Sequence, residues 1–111
     1  MAMRGVRIFL VAGLLVAAGA GIARADAIDG DWCSPSGARH LSINGPKMVT
    51  PAGVAIEGDY TRHTFVYVAP AKDIESGKRV DMRLMGETAV LFHPEGAPQA
   101  ETWRRCARPT S

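Results

Sequence analysis

Val80-Asp81-Met82-Arg83-Leu84-Met85-Gly86-Glu87-Thr88-Ala89-Val90-Leu91-Phe92-His93 decides the fold. Apolar residues at 80, 82 and 84 alternate with charged ones at 81 and 83, the period of a strand with one face in a core and one in water. Met85-Gly86-Glu87-Thr88 is a short turn, and Ala89 to His93 is a second strand of the same kind. The segment is a hairpin.

Working outward, Arg39-His40-Leu41-Ser42-Ile43-Asn44 alternates in the same way and runs into Asn44-Gly45, a strong tight-turn signal. Pro51-Ala52-Gly53 and Gly58-Asp59 mark further reversals. No window after residue 25 carries a helical period. The pattern predicts about eight short strands, near 30–34, 38–44, 47–50, 54–58, 62–69, 79–85, 88–93 and 100–106, with the longer breaks at 70–78 and 94–99. That is an all-β antiparallel meander, curled into a small barrel or a two-layer sandwich.

The first 25 residues are different. Arg4 and Arg7 precede an uncharged, Leu-, Val-, Ala- and Gly-rich stretch from Ile8 to Ile22, and Ala23-Arg24-Ala25 is an A-x-A cleavage pattern. The stretch is shorter than the roughly 20 apolar residues of a spanning helix. Residues 1–25 therefore read as a cleaved secretory signal peptide, and 26–111 as a single small domain that is periplasmic or secreted, with no stable membrane insertion after processing.

The formal charge of +2 belongs to the whole chain. Loss of Arg4, Arg7 and Arg24 leaves ten Lys/Arg against eleven Asp/Glu, a net charge of −1 over 86 residues. A nucleic-acid partner has no electrostatic basis in such a domain. A core of this size supplies about 3–5 kcal/mol of net stability, so a covalent staple is expected. Cys33 and Cys106 are the only cysteines, they bracket the domain, and neither lies in a C-x-x-C spacing. They are expected to form a disulfide, worth roughly 4 kcal/mol by loop-closure entropy for so long a loop.

Parity constrains the seam between the first and last strands. Trp32 is one residue from Cys33 and Trp103 three from Cys106, so each indole points away from its cysteine. Arg105 shares the parity of Trp103, and the right strand direction would lay it over Trp32 in a cation–π contact of about 0.5–2 kcal/mol. Gly30-Asp31-Trp32 on the first strand, with Arg104 or Arg105 on the last, resembles the G-x-W and covering Arg of the lipocalin-like (calycin) barrels. The resemblance covers only the two ends of the mature chain; it implies a small barrel and, by analogy, a ligand-binding role.

Chemistry-bearing patterns are sparse. His40, His63 and His93 fall on separate strands with no metal-ligand spacing, and Asp29-Gly30-Asp31 opens a calcium-like loop that Cys33, Pro35 and His40 then break. Ser34 and Ser36 lack a G-x-S-x-G turn, and no glycine precedes a helix that would cradle phosphate. Hence no catalytic residue, metal or cofactor is assigned, and the chain reads as a non-enzyme. The one recognition-like stretch is Arg62-His63-Thr64-Phe65-Val66-Tyr67. In a strand over 62–69, His63, Phe65 and Tyr67 share a face. With Arg62 they are the candidate recognition surface if that face is exposed; otherwise Phe65 and Tyr67 fill the core and His63 lies at its rim. Three functional readings follow: a non-enzymatic binding or envelope-associated protein; an inhibitor presenting a loop such as 69–77 or 94–99 to an exported enzyme; and a carrier of a small apolar ligand. For the first two, the partner is another exported or envelope protein.

Overall fold

A computed structural model describes residues 27–107. The signal peptide expected over 1–25, its expected junction at Asp26 and residues 108–111 lie outside the described residues. The described chain is all β and contains no helix. Its strands are β1 (Gly30–Cys33), β2 (His40–Asn44), β3 (Lys47–Val49), β4 (Ala55–Glu57), β5 (Asp59–Tyr60), β6 (Thr64–Val68), β7 (Arg79–Met85), β8 (Ala89–Pro94) and β9 (Glu101–Arg105).

They form one antiparallel sheet in the order β4-β3-β2-β1-β9-β8-β7-β6-β5, curled into a nearly closed barrel. Strands that follow one another in the chain pair, except β4 and β5, and β9 returns to pair with β1, so the chain enters and leaves the barrel side by side. The hairpin of β7 and β8 aligns Val80 with Pro94, Met82 with Phe92 and Leu84 with Val90. Val80, Met82, Val90 and Phe92 are buried while Asp81 and Arg83 face water, as the alternation requires.

The ring is incomplete at one place. Nine strands in unbroken antiparallel order put the first and last, β4 and β5, in the same direction, and only Gly58 separates them. Gly58-Asp59 is therefore not a reversal: 55–60 is one line of chain, kinked where it leaves β3 and joins β6. This is why a ninth strand appears where eight were expected. A Cβ at Gly58 would lie 2.7 Å from the Val66 carbonyl oxygen and 2.6 Å from Phe65 Cε1, and the Gly58 N–H donates to the Pro46 carbonyl at 2.9 Å. Only glycine lets the strand cross so close to β6.

The interior is filled by the chain itself. Trp32, Trp103, Phe65, Phe92, Ile28, Leu41, Met82, Val80 and Val90 are fully buried, and Phe92 stacks on Trp103 with ring centroids 4.3 Å apart. An eight- or nine-strand barrel of such short strands has an interior just wide enough for its own side chains. Both indoles lie inside while the disulfide Cys33–Cys106 lies outside, with a Cα–Cα distance of 5.0 Å and a sequence separation of 73. No helix among the described residues is long and apolar enough to cross a membrane.

Candidate functional site

Antiparallel connections place the turns at two mouths. Around one lie residues 27–29, 45–46, 61–63 and 86–88; around the other lie 34–39, 50–54, 69–78 and 95–100. An arginine covers aromatic rings at each.

At the first mouth Trp32 is the register partner of Arg105, and the Arg105 guanidinium carbon sits 4.3 Å from the Trp32 ring centroid. Arg105 Nε donates to the Glu87 carbonyl at 2.7 Å, Nη1 to the Asp29 carbonyl at 2.8 Å and Nη2 to the Ala27 carbonyl at 3.0 Å. One planar fork thereby joins β9, the 86–88 turn and the entering chain. Gly30 makes room for it: its φ is +130°, and a Cβ there would stand 2.5 Å from Arg105 Nη1. The Gly30-x-Trp32 spacing and its covering Arg105 thus have a local steric cause. Ile28, fully buried, plugs the same mouth; its carbonyl accepts from Trp32 Nε1 at 2.9 Å, and its N–H donates to the Arg62 carbonyl at 2.8 Å. Asp29 accepts from the Gly45 N–H at 2.8 Å and the Tyr60 hydroxyl at 2.5 Å.

The second mouth is closed by the loop 69–78 and a polar cluster beneath it. Arg39, just before β2, makes a two-pronged bond to Glu75, Nη1 to Oε2 and Nη2 to Oε1, both at 2.8 Å. Its guanidinium lies 5.6 Å from the Trp103 ring centroid and 6.0 Å from that of Phe92. Asp73 is 4% exposed; its Oδ1 accepts from the Thr50 hydroxyl at 2.9 Å and the Ala52 N–H at 3.0 Å. The Asp73 Oδ2 and the Tyr67 hydroxyl are buried without a hydrogen-bond partner.

The charges act on one another. Burial alone raises the Glu75 carboxyl, but the hydrogen bonds and positive charge of Arg39 outweigh it and hold that carboxyl below its ordinary value. The bond to Glu75 raises Arg39 in turn, against the opposing effect of its own burial. Burial, then the negative charges of Glu75 and Asp73, push the Tyr67 hydroxyl well above its ordinary value, with Arg39 pulling the other way. The cluster contains charge, but it is spent on the loop: both carboxylates are bonded and neither faces an open cleft.

Between its two anchors the loop projects Ile74, which is 80% exposed, the most exposed of the large apolar side chains among the described residues. Loop backbone bonds close the structure around it: Ala69 N–H to Lys78 O, Gly77 N–H to Ala69 O, Asp73 N–H to Pro70 O and Lys78 N–H to Glu75 O, all 2.9–3.0 Å. Elsewhere on the outer wall are open grooves, one of about 540 Å³ between Ile56 and Glu57 on one side and Val66 and Val68 on the other, where β4 peels away from β6.

The candidate surface Arg62, His63, Phe65 and Tyr67 does not form as one exposed face. β6 begins at Thr64, two residues later than expected, so Arg62 and His63 are exposed in the turn at the first mouth. Phe65 and Tyr67 point inward, fully or nearly fully buried, with their rings 6.1 Å apart. Tyr67 instead reaches the polar cluster at the opposite mouth. Sequence reasoning missed Arg39, Thr50, Asp73 and Glu75. The only local signal was the alternation Asp73-Ile74-Glu75 inside a loop, and its meaning depends on partners 21 to 36 residues away. Among the described residues no group of three or more His, Cys, Asp or Glu is placed to hold a metal ion.

No family model, no curated protein and no solved structure matches this chain.

Proposed function

We propose that the chain is an exported, non-enzymatic binding protein that meets its partner on the outside of the barrel. The observation that supports this reading is the filled interior with both mouths closed, by Arg105 over Trp32 at one end and Arg39 over Trp103 and Phe92 at the other. A carrier of an apolar ligand needs on the order of 300 Å³ or more of enclosed space. Here that space holds two tryptophans and two phenylalanines, which favours a binding surface on the outside over the ligand cup implied by the lipocalin-like resemblance. Export accords with the Arg4/Arg7 start, the Ala23-Arg24-Ala25 pattern and a disulfide joining Cys33 to Cys106.

The narrower inhibitor reading requires a projecting element held in shape before contact, and the 69–78 loop supplies one.

Two measurements test the proposal. Intact mass of the exported protein should correspond to a chain starting at Asp26 and lacking two hydrogens. Titration of the folded protein with a naphthalene-sulfonate dye and with a long-chain fatty acid should give no saturable binding; one-to-one binding of either probe would return the carrier reading.

A further inference from the structure

We infer that the loop 69–78 is the recognition element of this protein and that it docks into an acidic protein surface containing an apolar pocket. The inference rests on the binding-protein reading above and specifies the element and the chemistry of its partner.

Exposure of Ile74 alone would say little, since single exposed aliphatics are normal on protein surfaces. What separates Ile74 from Val49, Val68 and Met85 is that those three lie in strands of the wall, whereas Ile74 stands on a loop beyond the mouth and is the most exposed of the four. Asp73 and Glu75 on either side are buried and bonded to Thr50, Ala52 and Arg39, on two other segments of the barrel. The backbone between them has its place set before any partner arrives, so ordering this loop is a cost of folding and not of association. A fixed apolar side chain on a convex tip fits a pocket.

The loop's charges are sorted by face. Both of its acids turn into the barrel, while Lys72 and Lys78 are exposed. Lys78 also adds to the field that keeps Glu75 ionised. At the base of the loop, exposed Arg79 bonds Asp81 at 3.3 Å and is the register partner of Val68, which is 62% exposed. The exposed charges of the loop itself are therefore Lys72 and Lys78, set around an aliphatic tip on a mature chain whose net charge is −1, while Arg79 at its base is paired with Asp81 and its N–H with Glu95. Electrostatic complementarity then selects a negatively charged partner. A lipid surface is the poorer fit, because interfacial anchors draw on aromatic residues or on several large apolar ones, and the exposed tip has one aliphatic side chain and no aromatic.

The test uses a photoreactive benzoyl-phenylalanine in place of Ile74 in the full chain, expressed and exported normally, with the same probe at Met85 on the opposite mouth as control. An adduct with one protein is expected from position 74 and not from 85. The cross-linked segment of that protein should carry an excess of Asp and Glu. The adduct should fall about fivefold with Lys72→Glu and in about 0.5 M NaCl, while the melting temperature of the variant stays within about 3 °C because Lys72 is exposed. No adduct at 74, an adduct indifferent to charge reversal, a basic partner segment, or sedimentation with phosphatidylglycerol vesicles through Ile74 would each overturn the inference. An adduct from 85 alone would overturn it and leave the binding-protein reading standing. Adducts from neither position would remove both.

Discussion

Replacing Arg105 by Lys keeps the positive charge over Trp32 and removes the planar fork, which separates geometry from charge. The native side chain donates to three carbonyls, on Glu87, Asp29 and Ala27, at 2.7, 2.8 and 3.0 Å. Bonds from charged donors are worth about 1.5–3 kcal/mol when buried, and solvent screening at this half-buried site brings each below that range, to roughly 1 kcal/mol. A lysine ammonium reaches at most one of the three acceptors, so Arg105→Lys should cost about 2 kcal/mol. Arg105→Ala loses the ring contact as well and should cost about 3–4 kcal/mol. For a domain of this size 2 kcal/mol corresponds to a fall of about 8–16 °C in melting temperature. Urea unfolding followed by tryptophan fluorescence measures both, with the slope expected to be unchanged. Gly30→Ala supplies the cross-check: alone it meets Arg105 Nη1 at 2.5 Å and a φ of +130°, whereas beside Arg105→Ala only the φ strain remains. The double variant should therefore lose less than the sum of the singles. A lysine variant within about 0.5 kcal/mol of the native protein would refute the argument, because the fork would then do nothing that a point charge does not.

Tyr67→Phe should leave stability at pH 7 unchanged or raise it by up to about 1 kcal/mol, since the hydroxyl it removes is buried and unpartnered. A loss above about 1 kcal/mol in urea would show that the hydroxyl has a partner. Burial raises Tyr67 in the folded state above its unfolded value, so its contribution is full below about pH 10 and is lost at higher pH; stability measured between about pH 9 and 11 should fall in the native protein and less in the Phe variant. Glu75 is shifted in the opposite direction, so its contribution is full above the ordinary carboxylate range and disappears as pH falls through its lowered folded value. Glu75→Gln should cost about 1–3 kcal/mol at neutral pH and flatten the acid limb of thermal unfolding; an acid limb of native steepness would exclude Glu75 as its source. Gly58→Ala should cost more than about 2 kcal/mol, as its Cβ meets a backbone oxygen and the Phe65 ring, and hydrogen exchange in β5 and β6 should speed up with it.

What the sequence determined by itself was whatever a period of two and a turn residue can encode. The alternation at Val80 to Leu84 put Val80 and Met82 inside, because in a strand a side chain's face depends only on its position parity; Ala89 to Phe92 are all apolar, and pairing with β7 across from Leu84 and Met82 turned Val90 and Phe92 inward. Parity likewise set both tryptophans opposite the cysteines, and the scarcity of cysteines left one disulfide to form. Strand direction was beyond it, and so the contact of Arg105 with Trp32 appeared only once β1 and β9 paired with those residues in register. The kink at Gly58 was equally invisible, since a glycine before an aspartate signals a turn by local propensity, and only the close passage of β6 makes it a crossing. The face of Phe65 and Tyr67 was settled by the barrel, whose core took both rings, while a start at Thr64 left His63 and Arg62 outside. The loop was legible as a loop. That its acids point inward and its isoleucine outward was not, because the preference of Asp73 and Glu75 for the interior comes from Thr50 and Arg39, which the chain brings to them only by closing the barrel.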